Sequence, residues 1–248
     1  MPFDPKRAST MSVGAALSDA VAATRRDFIP LGLVAAVLSL IPLVGPLVAT
    51  PLLITAAMRS LRDGKESYVG ETFSAFGDRL GEFVTTWLVS ILVGAVTVIA
   101  FFAAVFAIGF AALLGSGSAP GASAGAELLL GGGLVALFVA LVVYIGVRFS
   151  FIYYAAFDGK GAFDAFRQSW AISRGATLRI AGWGLVAGLV GVLITLATLL
   201  VGGVLSMLVP LLGTLLGLLA LVFGGTAGLM VSTRMLATLY LTLNARSR

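Results

Sequence analysis

Residues 83–114 form a run of 32 positions without one charged side chain. That exceeds the ~20 residues a helix needs to cross a hydrocarbon core, and few buried helices of soluble domains are so long or so apolar. Residues 180–209 repeat the pattern, and 128–157 are interrupted by Arg148 alone. Charged residues make up 11% of the 248 positions and hydrophobic ones 59%, with a mean hydropathy of +1.08. Soluble enzymes, disordered chains and disulfide scaffolds do not have this balance. The expected fold class is an all-α integral membrane protein. More specifically, the reading is a six-helix transmembrane bundle of three hairpins, each preceded by an interfacial amphipathic helix, in a single membrane domain, 1–248.

The chain has no histidine and no cysteine. Imidazole bases, thiolate nucleophiles and the usual zinc ligand sets are therefore excluded. No Walker-type glycine loop is present, and no Asp, Glu or Lys falls well inside an apolar run. The reading therefore expects no catalytic residue, no metal and no cofactor. The net charge of +5 and pI near 10 could suit nucleic acid, but the basic residues are distributed as membrane flanks, so no nucleic-acid partner is expected.

Topology follows from those flanks. Residues 1–27, with Lys6, Arg7, Arg25 and Arg26, read as a cytoplasmic or interfacial N-terminal helix without a signal-peptide pattern, striped by Val13, Leu17, Val21 and Phe28. The same stripe fits an ordinary exposed helix. Residues 28–58 are too long for one span and too short for two; Pro42, Pro46 and Pro51 interrupt them, and LIPLVGP reads as the tip of a hairpin that either crosses a thinned bilayer or is re-entrant. Residues 83–157 form the second hairpin, joined by the loop SGSAPGASAGAE, and 180–245 the third, with its tip at Pro210. No Lys or Arg lies in the three outer loops, which puts both termini in the cytoplasm of a plasma (bacterial inner) membrane.

An internal repeat is also visible. Asp63-Gly64-Lys65 recurs as Asp158-Gly159-Lys160, followed by FSAF and FDAF. Phe73, Phe76, Leu80 and Phe83 share one helical face in the first element, and Phe163, Phe166 and Trp170 in the second. The small-xxx-small pairs Gly184/Gly188, Gly213/Gly217 and Gly224/Gly228 predict close helix contacts. Thr85, Thr86, Ser90, Thr97, Thr195 and Thr198 are expected to bond back to their own helices.

Arginine at membrane depth is costly, so Arg59, Arg148 and Arg234 are candidate headgroup or structural residues. With a span starting at Leu128, Arg148 lies about 30 Å along it, at the inner interface. If Gly131, Gly132 and Gly133 belong to the loop, it sinks and needs Asp158 or Asp164 as a partner. In the third unit Arg167, Arg174 and Arg179 are expected to meet anionic lipid phosphates while Phe163, Phe166 and Trp170 lie in the interface or cap the bundle.

Arg148, Asp158 and the stretch FDAFRQSWAISRG, with LIPLVGPLVATPLLI and RMLATLYLTL, resemble the membrane domain associated with glycerophosphoryl diester phosphodiesterases and its stand-alone bacterial relatives of unknown function. The resemblance implies a six-helix bundle and directs attention to Arg148, Asp158, Ser169, Trp170, Arg174 and Gly175. It transfers no activity, since the Glu/His/metal machinery of the phosphodiesterase barrel is absent from this sequence.

Function is thus expected to be non-enzymatic: a structural, lipid-organising or accessory membrane subunit, with membrane lipids, other membrane proteins or a second copy as partners. The alternatives are a transporter or channel for a small or lipidic solute and, more remotely, a lipid-modifying enzyme using Asp158 or Asp164.

Overall fold

The computed structural model describes residues 11–41, 45–64, 68–115, 124–208 and 210–246. These are mostly helical, with short turns between helices and no strand among them. In chain order the helices are α1 (Val13–Asp27), α2 (Leu33–Ser39), α3 (Thr50–Asp63), α4 (Val69–Gly77), α5 (Leu80–Gly115), α6 (Ala124–Phe149), α7 (Ile152–Phe157), α8 (Ala162–Ser173), α9 (Thr177–Leu208) and α10 (Pro210–Arg246). Wider π-helical turns, Phe28–Gly32 and Gly45–Ala49, carry Pro30 and Pro46. Proline has no N–H to give the i−4 carbonyl, and a widened turn accommodates that loss. Of the three prolines that interrupt the first hairpin, Pro42 lies outside the described residues, and Pro51 sits in the first turn of α3.

Four stretches among the described residues are long and apolar enough to cross a membrane: Leu80–Ala107, Val135–Phe157, Thr177–Val204 and Thr214–Arg246. Their most apolar windows are 0 to 28% buried within the chain, so leucines, valines and phenylalanines such as Leu92, Phe102, Phe106, Leu189 and Leu218 face outward. Outward apolar surface on this scale suits lipid as solvent.

The core sits at one end of the molecule, where the short helices gather around the second half of α10. Met58, Phe151, Tyr154, Ile180, Trp183, Met235, Leu239 and Tyr240 are buried in one cluster there. On α1 the buried residues are Ala16, Ala20, Ala23, Thr24 and Asp27, while Val21 is 45% exposed. The face that meets α10 is thus the alanine one, whose small side chains let α1 lie close to it. Val13 and Leu17 pack at the edge of this contact.

The repeated turns share a backbone device. Gly64 and Gly159 both have positive φ, 65° and 76°, a region that glycine enters without a Cβ penalty. Each ends a helix and redirects the chain into an amphipathic one. The faces are narrower than expected. Phe76 and Phe83 are buried and stacked at 5.8 Å, whereas Phe73 and Leu80 are exposed. Phe166 and Trp170 turn onto Phe149, at 4.9 and 5.7 Å, whereas Phe163 is 80% exposed.

In the third hairpin the touching glycines differ from those expected on α9. A Cβ on Gly202 would lie 2.5 Å from the Cα of Gly217, and one on Gly228 would lie 2.8 Å from the Cα of Gly191. Gly224 faces Thr198. Gly184 and Gly188 have nothing within reach of an added Cβ, so the close approach on α9 is made by Gly191 and Gly202. Gly213 is helical in α10, and its packing lies outside what is described.

The span expected over 128–157 is a broken helix. Gly131, Gly132 and Gly133 are helical in α6, and the break falls at Ser150 and Phe151, just past Arg148. The loop segment 116–123 lies outside the described residues, whereas the last four loop residues of the sequence reading, 124–127, begin α6.

Candidate polar site at the charged end of the bundle

The turn after α7, the end of α3, the α4–α5 turn and the end of α10 converge on an open pocket of about 1000 Å³. Arg59, Arg62, Arg79 and Lys160 line it, with Asp78 and Asp158 as the acids. Arg59 donates to the Glu71 carbonyl through Nη1 and to Glu71 Oε2 through Nη2, the latter at 3.0 Å. Arg62 donates to Asp158 Oδ1, and its guanidinium lies 5.4 Å over the Phe157 ring. The other carboxylate oxygen of Asp158 accepts from the Tyr240 hydroxyl at 2.7 Å. Gln168 Nε2 continues the network to Tyr240 Oη and Asn244 Oδ1, both at 3.2 Å. Asp158 is thus held by a cation and a phenol from opposite sides, a fixed carboxylate suited to orienting Arg62.

A second polar junction joins α1, α3 and α10. Arg234 donates to Ser60 Oγ at 3.0 Å and lies 3.5 Å from Asp27 Oδ2, with side chains only 16 and 8% exposed. Arg26 Nε donates to the same carboxylate at 2.8 Å. Two guanidinium groups therefore share Asp27.

The third feature surrounds Arg148. Its guanidinium lies 4.9 Å from the Tyr144 ring centroid and 5.0 Å from that of Trp170. Its Nε and Nη1 are buried and find no hydrogen-bond partner among the described residues. Neither expected acid reaches it: Asp158 belongs to Arg62, and Asp164 makes no ion pair among the described residues. The aromatic faces take the place of a counter-ion.

A family model described as a domain of unknown function (DUF7847) matches residues 8–247. The chain belongs to the DUF7847 family. No curated protein and no solved structure matches it.

In this DUF7847 member six of the residues singled out from sequence fall in three places. Arg59 and Asp158 join the pocket, Arg234 the Asp27 junction, and Arg148, Ser169 and Trp170 the broken helix. Ser169 Oγ donates to the Arg148 carbonyl and accepts from Phe151 N. Arg167 and Arg174 are exposed, Gly175 has φ of 77° after α8, and Arg179 lies 5.9 Å over Trp183. Sequence reasoning missed Asp27, Ser60, Arg62, Arg79, Gln168, Tyr240 and Asn244. For Asp27 a signal existed, an acid beside Arg25 and Arg26 immediately before an apolar run. Arg62 and Tyr240 meet Asp158 across 96 and 82 residues of chain, which no local pattern encodes. Of the six hydroxyls expected to bond within their own helices, five do; the buried Thr86 Oγ1 has no partner among the described residues. The described residues contain no group of three acids that could hold a metal ion.

Proposed function

We propose that this DUF7847 protein is a non-enzymatic integral membrane protein of the plasma membrane that organises anionic lipid at the cytoplasmic surface, alone or as an accessory subunit. The observation carrying this reading is the outward placement of Phe163, 80% exposed, and to a lesser degree of Phe73, 36% exposed, at equivalent positions of the repeated helices α4 and α8, while Phe76 and Phe166 pack against other rings. An outward phenylalanine gains roughly 1.5–3 kcal/mol by entering an apolar phase. On α8 and after it Arg167 and Arg174 are free to meet phosphates at the same level.

The topology that goes with this reading is six membrane segments in three hairpins with both termini inside, as the basic flanks require. The first hairpin is the short one. Its first arm, residues 28–39, measures roughly 18 Å at 1.5 Å per residue and is re-entrant rather than spanning. The resemblance to the phosphodiesterase membrane domain supports the bundle and brings no hydrolysis with it. The polar pocket lies at the end of the bundle, which favours binding at the surface over translocation through the midplane.

Native mass spectrometry of the protein released from membranes in mild detergent tests the lipid reading. Anionic lipids should remain bound, and Arg167→Ala with Arg174→Ala should reduce their occupancy. Equal retention of zwitterionic and anionic lipid by both proteins would overturn it. For the topology, a cysteine placed at Ser118 should be labelled from outside the cell only; labelling from the cytoplasmic side alone reverses the orientation.

A further inference from the structure

We propose that the pocket between α3, the α4–α5 turn, the α7–α8 turn and the end of α10 binds a phosphate-bearing anion of at least two negative charges. The group is either a lipid headgroup or a soluble phosphate compound. This goes beyond lipid organisation by Arg167 and Arg174, which lie outside the pocket lining.

Four cations from three separate elements converge on one concavity that holds two acids. Bringing like charges together is unfavourable, and the structure compensates it only in part. Glu71 takes Arg59 and Asp158 takes Arg62, while Lys160 makes no ion pair among the described residues. Arg79 pairs with Glu82 at 3.6 Å, within ion-pair range though longer than a hydrogen bond. Cations outnumber acids by two in the lining itself, Glu71 and Glu82 being partners of Arg59 and Arg79 that are not part of it.

The cations are also held in place. Arg59 is fixed at two nitrogens, and Arg62 is pinned between Asp158 and the Phe157 ring, so a ligand orders few side chains on arrival. The Arg79 guanidinium lies against the α7–α8 turn at Gly159, where a Cβ would come 2.5 Å from its Nη1. Glycine there serves both the left-handed turn and the approach of Arg79. Fixed guanidinium forks and an ammonium match the several oxygens of a phosphate better than a single carboxylate. The volume of about 1000 Å³ is at the upper end of small-molecule sites and far exceeds a bare ion. The concavity therefore has room for a phosphate carrying an organic body.

The full-length protein in nanodiscs of phosphatidylcholine provides the test. In one arm glycerol 3-phosphate is titrated by calorimetry. In the other, phosphatidic acid is introduced into the disc and bound lipid is counted by native mass spectrometry. Binding in either arm identifies the source. Arg79→Ala with Lys160→Ala should weaken the arm that binds about tenfold or more, while Arg167→Ala with Arg174→Ala leaves glycerol 3-phosphate binding intact and, in the lipid arm, removes surface lipid but spares the lipid that the Arg79/Lys160 pair removes. Asp78→Asn removes a lining acid that makes no ion pair among the described residues, and should tighten binding, a gain that misfolding cannot imitate. No binding in either arm overturns the proposal, as does binding that the Arg79/Lys160 pair leaves unchanged or that Asp78→Asn fails to strengthen. Loss of lipid retention in the Arg167/Arg174 variant alone touches only the surface reading.

Discussion

The Ser169 hydroxyl donates to the Arg148 carbonyl at 2.7 Å and accepts from the Phe151 N–H at 3.3 Å. One side chain of α8 thus bridges the break between α6 and α7, answering two backbone groups that a continuous helix would have paired internally. Water is scarce at such a place, so an unpaired carbonyl and N–H there are expensive. Ser169 is fully buried, and the neighbouring Ser173 offers Arg148 only a weak contact at 3.5 Å. Ser169→Ala should therefore lower stability by about 1–3 kcal/mol. Thermal unfolding in detergent would show it, with Ser74→Ala, exposed on α4, as the neutral comparison. An unchanged melting temperature for Ser169→Ala would mean that the break is maintained by packing alone.

The Asp27–Arg234 junction makes a prediction of the opposite kind, because both charges are largely withdrawn from solvent. Removing one partner leaves the other uncompensated, a loss of roughly 3 kcal/mol or more. Asp27→Asn is therefore strongly destabilising. Replacing the pair together, Asp27→Leu with Arg234→Met, should recover more than half of that loss, since desolvation of both charges disappears with them. Denaturant titration of the three variants decides it; a double variant as unstable as the single one would show that Ser60 and Arg26, not the pair, hold the junction.

Much of the fold was legible in the sequence, and the reasons are physical. Long uncharged runs can only be membrane helices or buried ones, so α5, α9 and most of α6 and α10 follow directly. The Asp-Gly turns were visible because glycine is the residue that enters positive φ freely, and Gly64 and Gly159 both do so. Faces were harder. Phe73, Phe76, Leu80 and Phe83 satisfy one helical period, yet Phe76 and Phe83 alone turn inward, because the site of burial depends on where Tyr153 lies, at 6.5 Å from Phe83. On α1 the stripe did not tell which residues meet α10: hydrophobicity ranks Val21 above Ala20, whereas close packing against α10 selects the smaller residue and leaves Val21 45% exposed. The pocket was only half visible. Asp158 was singled out, but Arg62 and Tyr240 become its partners through the packing of α3 and α10, at separations that periodicity cannot address.

The glycine contacts in the third hairpin separate packing from composition. Gly202→Ala should be destabilising by about 1–3 kcal/mol, since its Cβ would meet the Gly217 backbone at 2.5 Å and backbone cannot rotate away. Gly184→Ala meets nothing within 4 Å and should be neutral or stabilising by up to ~1 kcal/mol through helix propensity. Unfolding in graded denaturing detergent distinguishes the two. Equal effects would show that the α9–α10 approach is looser than the Gly202–Gly217 contact implies.

Arg148 poses the last question, whether two rings can stand in for an acid. Its guanidinium lies about equally far from Tyr144 and Trp170, and its buried Nε and Nη1 have no hydrogen-bond acceptor among the described residues. A desolvated cation over an aromatic face gains roughly 2 kcal/mol, against ~0.5–1 at an exposed site. If the stack supplies the compensation, Arg148 and Trp170 are energetically coupled. A double-mutant cycle with Arg148→Met and Trp170→Leu should then give an interaction of about 1–2 kcal/mol. Arg148→Lys should lose most of the same term, because an ammonium keeps the charge but not the planar group that lies between two rings. The comparison with methionine is informative in itself: a variant that removes the charge also removes two orphaned donors, so Arg148→Met should be less harmful than Arg148→Lys. A coupling near zero, with lysine tolerated as well as arginine, would show that Trp170 merely fills space against Phe149 and that the charge of Arg148 is satisfied elsewhere.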